Sequence, residues 1–246
     1  MTQKEVPGIM RQSRKRLYTV LSAAAMLAAF AAAVVQPSAF AADSPVYQAL
    51  TGMKSTYPEG MAWTNDRYYF WSCEHMNAYG CAAFAGTLSD AAFGSLPARE
   101  YKTYNNIRVG DVLRVNYGNH SVIVLEVGTD QITVAEGNYG GKVHWGRTIK
   151  LSEIRNGSTT YGVTRYPDRG DVNGAGGVSV DDAQLTLAAY TRQVSGQSTG
   201  LCAGQISAAD ADQNGALSVQ DAQLILMYYT RAVVGRQNVS WEQLMR

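Results

Sequence analysis

Cysteine is scarce in this chain, and its scarcity limits how the fold can be stabilised. The 246 residues contain only 3 cysteines, Cys73, Cys81 and Cys202. So few cysteines cannot build the disulfide framework of a small exported domain, and an odd number leaves at least one thiol free or paired with another molecule. We therefore expect a fold that rests on a hydrophobic core or bound metal, and a function for one of the thiols.

An excess of charge of one sign is also absent. The 21 lysines and arginines nearly balance the 20 aspartates and glutamates, the formal net charge is +1, and charged residues make up 17% of the chain. Domains that bind nucleic acid usually carry a basic stripe or patch. The composition therefore argues against nucleic acid as a partner.

The N-terminal residues have the pattern of an export signal. A basic segment at residues 11–16 precedes an alanine-rich apolar run at 17–35, and Ala39-Phe40-Ala41 has the small residues that a signal peptidase recognises. A permanent membrane anchor is the alternative, since the apolar run is nearly long enough to span a bilayer. The alanine content and the cleavage pattern favour a signal peptide over residues 1–41. We predict a secreted, extracellular protein with no membrane attachment after cleavage.

The C-terminal third contains an internal repeat. Residues 178–196 match residues 217–235 at a fixed offset, which is the signature of a duplicated structural unit. Each repeat begins with a loop in which oxygen-bearing side chains recur at alternate positions. The predicted metal ligands are Asp171, Asn173, Ser179 and Asp182 in the first loop and Asp210, Asp212, Asn214, Ser218 and Asp221 in the second.

This spacing is that of an EF-hand calcium loop, with Gly176 and Gly215 at the position of the sharp turn. The last position carries Asp where a typical EF-hand has Glu. No helix is expected to precede either loop closely. A helix is expected to follow each loop instead, with one apolar face. That face contains Ala183, Leu187 and Tyr190 in the first repeat and Ala222, Leu226 and Tyr229 in the second. We predict two structural calcium ions.

Two loop–helix units of this kind resemble a type I dockerin over roughly residues 170–235. Ala175 departs from the family pattern, which has Asp or Asn at that position. The resemblance implies a small all-α calcium-binding module that binds a cohesin domain on the scaffolding protein of a cellulosome. The alternative is a calcium-stabilised pair of helices without a partner.

The resemblance also implies which residues contact the cohesin. They lie at the last positions of each loop and on the helix that follows it. The implied set is Val180, Asp181, Leu187, Ala188 and Arg192 in the first repeat and Val219, Gln220, Leu226, Met227 and Arg231 in the second. Because the two sets are similar, we expect either helix to engage the cohesin after a half-turn of the module.

The residues before the repeat change their periodicity near Asn106. Helical patterns come first, and runs rich in Val, Ile and Thr follow. The expected helices are 46–53 and 81–93, the latter with Phe84, Leu88 and Ala91 on one face, and the expected strands are 111–115, 121–127, 131–135, 142–149 and 160–166. Helices followed by an antiparallel meander predict an α+β fold. The turn-rich segment 167–170 separates a predicted domain at 43–166 from another at 167–246.

Two residues of this first domain suggest chemistry when they are combined. Cys81 begins a predicted helix, where the helix dipole stabilises a thiolate, and His120 opens a predicted strand. Each alone is more often structural. If residues 128–130 form a hairpin loop, Asn138 lies opposite His120 and Glu136 lies one step away on the same face. A nucleophile, a base and an orienting residue are what a cysteine hydrolase needs.

The segments Gly80-Cys81-x-x-Phe84-Ala85, His120–Val127 and Glu136-x-Asn138-Tyr139 resemble a CHAP domain, a cysteine, histidine-dependent amidohydrolase/peptidase. The resemblance spans residues 80–139. It implies a papain-like fold, Cys81 as nucleophile, His120 as general base, and Glu136 or Asn138 as orienter. It also implies amide bonds of peptides or peptidoglycan as substrate. The residues before Gly80 match no pattern of the family, which leaves the substrate open.

Two other chemistries have weaker support. Zinc could bind Cys73, His75 and Cys81, but the spacing suits no common site and a fourth ligand is missing. A polysaccharide hydrolase needs two facing carboxylates, and the sequence nominates no pair. The main alternative is a non-catalytic carbohydrate- or surface-binding module that stacks sugars on Trp63, Trp71 and Trp145, although aromatic residues this dense more often belong to a core.

Overall fold

The computed structural model describes residues 44–246, and the predicted signal peptide at 1–41 lies outside the described residues. The helices are α1 (Pro45–Gly52), α2 (Gly80–Phe93), α3 (Leu151–Glu153), α4 (Val180–Val194), α5 (Ala203–Ala209), α6 (Val219–Tyr228) and α7 (Trp241–Leu244). The strands are β1 (Tyr68–Trp71), β2 (Met76–Tyr79), β3 (Arg99–Tyr101), β4 (Val112–Val115), β5 (His120–Val127), β6 (Gln131–Tyr139), β7 (Lys142–Lys150) and β8 (Tyr161–Thr164). Short 3₁₀ turns occupy Met53–Ser55 and Ser72–Glu74, and π-helical turns occupy Ile154–Ser158 and Tyr229–Val234. The predicted α+β class is confirmed.

A six-stranded antiparallel sheet carries most of the N-terminal part, in the order β3-β8-β4-β5-β6-β7. The predicted meander forms β4 to β7, and β8 returns to pair with β4. Side chains alternate across the sheet, so β5 contributes Ile123 and Leu125 to one hydrophobic cluster and Val122 and Val124 to another. Both faces of the sheet are therefore covered.

Helix α2 is buried around most of its circumference between this sheet and α1. Phe84 and Leu88 are fully buried, as their spacing predicts, but Ala91 is exposed and Ala92 takes its place in the core. A Cβ atom at Gly86 would lie 3.0 Å from the Trp71 ring, so the glycine lets the ring pack closely against the helix. The close packing fixes the start of α2, where Cys81 lies.

The prediction that the first half is mainly helical was wrong at two places. Strands β1 and β2 form a separate antiparallel hairpin, and β3 pairs with β8 at the sheet edge. The hairpin is held by cross-strand pairs such as Tyr68 with Tyr79, and by Trp71 and Ala78, which are buried against α2. Strands this short gain their stability from tertiary packing, which a local pattern does not reveal.

The hairpin between β5 and β6 differs from the predicted three-residue loop. Val127 pairs with Ile132, and the Gly128 N–H donates to the Gln131 carbonyl at 2.8 Å, so the loop is one residue longer. A bulge between Val124 and Glu126 absorbs the extra residue. Ile123 consequently pairs with Ala135, in the predicted register.

The repeat region has a hydrophobic cluster of its own, in which α4 packs against α6. The apolar face predicted for these helices was wrong in part, because Leu187 and Leu226 are 46% and 43% exposed. The buried stripe of α4 runs instead through Ala183, Thr186 and Ala189. A leucine of each helix is thus left at the surface, whereas Leu224 and Ile225 of α6 are buried.

A helix does precede the second loop, contrary to expectation. Helix α5 ends directly before Asp210 and packs against both α1 and α2. A Cβ atom at Gly204 would come within 2.5 Å of the Phe93 ring, and Cys202 Sγ lies 3.3 Å from the Phe93 carbonyl oxygen. The small residues of α5 have no apolar stripe of their own, so the packing partner determines the helix. Residues 44–246 belong to one compact unit.

Candidate active site

Cys81 lies in the first turn of α2, at the end of the sheet where β5 begins. The preceding residue, Gly80, has φ +52°, and a Cβ atom there would lie 2.4 Å from Asn65 Oδ1. The carbonyl of Gly80 accepts a hydrogen bond from Trp63 Nε1 at 2.8 Å. Glycine is therefore required at this turn, and the turn holds a nearly buried thiol at the helix N-terminus.

His120 joins the thiol to a buried carboxylate. Its Nε2 lies 2.7 Å from Glu136 Oε2, which leaves Nδ1 for the hydrogen bond to Cys81. Glu136 is fully buried and also accepts two hydrogen bonds from the Arg147 guanidinium, one of them at 2.7 Å from Nη2. The ring is thereby fixed in one orientation, with one nitrogen on the carboxylate and the other toward sulfur.

Of the two predicted orienting residues, Glu136 contacts the ring and Asn138 does not. The β5–β6 pairing ends at Ile123 with Ala135, and Asn138 has a left-handed backbone conformation with φ 59°. Its side chain donates to Asn65 Oδ1 at 2.7 Å. The extrapolated register failed because the ladder does not extend as far as His120.

The electrostatics of the pair favour separated charges. Burial alone would raise the pKa of Cys81, but hydrogen bonds from His120 and the Ser121 backbone, with the charges of His120 and Arg114, lower it to about 7. Burial would lower the pKa of His120, but its hydrogen bonds to Cys81 and Glu136 raise it to about 9. Between these two pH values the pair exists as thiolate and imidazolium.

Alkylation of Cys81 by iodoacetamide should therefore accelerate through about pH 7, since only the thiolate reacts. Cys73 is an internal control, because burial raises its pKa to about 11. Its labelling should remain slow until high pH. The labelling rates of the peptides that contain Cys81 and Cys73, measured by mass spectrometry from pH 5 to pH 10, test this expectation. A Cys81 rate that rises only above pH 8 would contradict the ion pair.

Two arginines at this site were not predicted from the sequence. Arg147 binds Glu136, and Arg114 Nη1 lies 3.8 Å from Cys81 Sγ and 2.8 Å from Ser121 Oγ. Arg114 is a charge in a strand whose other residues are apolar, and that break in the pattern is the signal that could have identified it. The strand that contains Arg147 is mostly polar and gives no such signal. The structure places one on each side of the Cys81–His120 pair.

Two cavities meet at this pair. One, of about 460 Å³, is lined by His120, Tyr139 and Arg147. The other, of about 340 Å³, is lined by Cys81 and Arg114, and Asn119 contributes to both. The cavities thus lie on the two sides of Asn119, one next to the histidine and the other next to the thiol.

The alternative sites have less geometric support. Trp63 and Trp71 are buried in the core, so they cannot form the exposed stacking surface of a sugar-binding module. Within residues 44–246, Cys73, His75 and Cys81 do not form a group of potential metal ligands. Of the three tryptophans named for a binding module, Trp145 remains half-buried, whereas the three residues named for zinc do not come together.

The two repeat loops have the same internal hydrogen bonds. Asp171 accepts from the backbone N–H of Gly176 at 3.0 Å, and Asp210 accepts from that of Gly215 at 2.9 Å. The last residue of each loop is buried and accepts from the serine three positions earlier. These pairs are Asp182 with Ser179 and Asp221 with Ser218.

Oxygen ligands converge most closely in the second loop. Carboxylate oxygens of Asp210, Asp212 and Asp221 lie within 4.8 Å of one another. Burial raises the pKa of Asp210, and the charges of Asp221 and Asp212 raise it further. Such a cluster of oxygens fits a hard cation such as Ca²⁺. The first loop has two carboxylates, Asp171 and Asp182, because Ala175 brings no oxygen in its side chain.

No family model matches the chain. No curated protein matches it either. A solved structure described as the crystal structure of Ly7917 is 18% identical, with a TM-score of 0.33. The match covers 49% of this chain and 62% of that chain. Similarity at this level supports no conclusion about fold or function.

The residues predicted to contact a partner are largely accessible. Val180, Leu187, Val219 and Leu226 are exposed apolar side chains on the two repeat helices. Asp181, Ala188, Arg192, Gln220 and Arg231 are also exposed, and Met227 is half-buried. Among the helices of residues 44–246, none combines the length and the hydrophobicity that crossing a bilayer requires.

Proposed function

We propose that the chain is a cysteine-dependent amidase or peptidase with a papain-like catalytic domain. The observation that carries this proposal is the continuous hydrogen-bonded series Cys81–His120–Glu136, in which the thiol has a low pKa and Glu136 is held by Arg147. Nucleophile, base and orienting residue have the mutual geometry that activates a thiol. The adjoining cavities offer room for peptide on both sides of the scissile bond.

The reaction follows from the charges of the pair. The Cys81 thiolate attacks the amide carbonyl, a C–S bond forms, and the His120 imidazolium gives its proton to the leaving nitrogen as the C–N bond breaks. The amine departs and a thioester remains. Water then attacks the thioester, His120 accepts its proton, and the C–S bond breaks to release the acid and regenerate the thiolate.

Turnover of peptidoglycan and of casein by residues 42–246 tests the activity and the substrate class together. Release of new amino groups from either polymer should stop after iodoacetamide labels Cys81. A binding module would retain its binding after labelling. Turnover that persists with Cys81 fully alkylated would exclude the cysteine mechanism.

Replacing Glu136 should affect turnover more than replacing Asn138. Glu136→Gln preserves shape but removes the charge that stabilises the imidazolium, so we expect kcat to fall about 10- to 100-fold. Asn138→Ala removes a contact with Asn65 outside the ring, and we expect a loss below about tenfold. Both losses should be smaller than that of His120→Ala. Equal losses for the two variants would contradict the assignment of Glu136 as orienter.

For the C-terminal residues we propose a dockerin-like role: two calcium-binding loops, and helices that attach the secreted enzyme to a cohesin on a cellulosomal scaffold or at the cell surface. The exposed apolar residues after each loop support this proposal, because contiguous apolar patches on a surface mark interaction sites. The duplication supplies two such surfaces on one module.

Either surface should suffice for binding. Val180→Asp with Arg192→Ala disrupts the first, and Val219→Asp with Arg231→Ala disrupts the second. Each pair alone should weaken binding to a cohesin by less than about tenfold, and all four together should abolish it. Calorimetry against a cohesin panel measures this. Complete loss from one pair alone would show a single binding orientation.

A further inference from the structure

Arg114 is an unusual residue for its position in the sheet. It lies in β4 on the same face as Val112, where the alternation of side chains would place another core residue. The guanidinium is half-buried and lines the cavity next to Cys81. A charge in such a position costs desolvation energy unless something binds it.

No carboxylate in residues 44–246 pairs with this charge. The guanidinium bonds to the neutral hydroxyl of Ser121 at 2.8 Å and lies 3.8 Å from Cys81 Sγ, and no carboxylate lies within 4.0 Å of it. Glu74 lines the same cavity without forming an ion pair with it. Most of the five N–H donors of the arginine therefore have no protein acceptor.

The charged groups nearest the thiol also leave Arg114 without a carboxylate partner. Glu136 is shared between Arg147 and His120, so its single negative charge already faces two cations. The thiolate of Cys81 adds a second negative charge, and Arg114 adds a third positive one. Among these five groups the reactive state has three positive charges and two negative ones. Glu153 and Glu74 line the two cavities, but neither forms an ion pair with Arg114.

The reaction assigns each cavity to one side of the scissile bond. Since the proton on His120 goes to the leaving amine, the leaving group must lie on the His120 side, in the cavity with Tyr139 and Arg147. The acyl part then occupies the cavity with Cys81 and Arg114. An anionic group on the acyl part would both accept hydrogen bonds from the free donors and compensate the charge of Arg114.

We propose that Arg114 binds a carboxylate on the acyl side of the scissile bond, so that the enzyme prefers acyl groups with an acidic residue of the glutamate or aspartate type. This inference rests on the proposed cysteine hydrolase function. The planar guanidinium suits bidentate binding of a carboxylate.

A pair of alkylating reagents tests the proposal without knowledge of the substrate. Iodoacetate and iodoacetamide differ in one group, a carboxylate or a neutral amide, which would lie beside the attacked carbon and within reach of Arg114. In the full chain we expect the ratio of the iodoacetate rate to the iodoacetamide rate at Cys81 to exceed that of N-acetylcysteine about tenfold. Arg114→Met should reduce this ratio about tenfold, and Arg114→Lys should reduce it less.

The matched control is Arg155→Met. Arg155 is exposed, lines neither cavity and contacts the Tyr104 carbonyl, so its loss should leave the ratio unchanged. If Arg114 only lowers the thiol pKa, Arg114→Met would slow both reagents equally and leave the ratio intact, which would overturn the proposal. A wild-type ratio no higher than that of N-acetylcysteine would overturn it even if no variant folds.

A peptide pair supplies the second readout. For substrates that differ only in Glu or Gln on the acyl side, kcat/KM of the wild type should favour Glu about tenfold, and Arg114→Met should abolish the preference. Rapid iodoacetamide labelling without any carboxylate preference would refute the role of Arg114 and leave the hydrolase intact. Slow iodoacetamide labelling at neutral pH would refute both.

Discussion

Cys81→Ala is expected to lower the turnover of an amide substrate by more than about 10⁴-fold, because it removes the atom that forms the covalent intermediate. His120→Ala should cause a loss of similar size, since the thiol then has neither the imidazolium that stabilises it nor the acid that protonates the leaving amine. When residues act as one unit, the effects of replacing them on turnover are not additive. The variant that combines Cys81→Ala with His120→Ala should therefore be no less active than the less active of the two single variants.

The control for this series is Cys73→Ala. Cys73 is half-buried next to α2, and its high pKa leaves it as a neutral thiol at pH 7. The substitution removes a sulfur atom, as Cys81→Ala does, but not the proposed nucleophile. We expect turnover within about twofold of wild type. Progress curves on peptidoglycan fragments would decide the matter, and wild-type turnover by Cys81→Ala would refute the cysteine mechanism.

Removal of calcium is the second change with a large expected effect. In the proposed module the buried carboxylates of Asp182 and Asp221 lie at the start of α4 and α6, and the helices pack on each other through a small core. A bound cation would compensate the charges that converge on each loop, so binding and folding should be coupled. A ligand at about a thousand times its Kd stabilises the folded state by about 4 kcal/mol.

Hydrogen exchange of the full chain measures this coupling. With EDTA, amides in α4 and α6 should lose protection, and amides in β5 and β6 should keep it, because those strands belong to the large sheet. The sheet thus serves as an internal control. Unchanged protection in both repeats after chelation would show that the loops fold without metal.

The two sites should also differ in affinity, because Ala175 replaces an oxygen ligand in the first loop. Ala175→Asp should raise the calcium affinity of the first site and so reduce the difference in affinity between the two sites, as measured by calorimetry. Gly177→Asp is the matched control, since it adds the same charge two positions later, where the EF-hand loop uses a backbone carbonyl as ligand. A Cβ atom at Gly177 meets nothing within 4 Å, so the control should be tolerated. An equal increase in calcium affinity from both variants would indicate a general effect of the added negative charge.

Local patterns in the sequence were sufficient for much of the candidate site. The oxygen-bearing side chains of residues 171–182 and of residues 210–221 each lie in one short stretch of chain that runs into the following helix, so their arrangement follows from spacing alone. Cys81 at a helix start and His120 at a strand start were predicted for the same reason. The α+β class followed from the change of period along the chain.

The tertiary structure alone decided which side chains meet. Glu136 rather than Asn138 contacts His120 because the strand pairing ends early, and strand ends are not encoded in a local period. Arg114 faces the thiol because β4 lies beside β5, an arrangement that depends on pairing between distant residues. The helix α5 forms against α1 and α2, which supply the apolar surface that its own sequence lacks. Sequence spacing fixes contacts within one element, whereas contacts between elements depend on packing energy summed over the whole core.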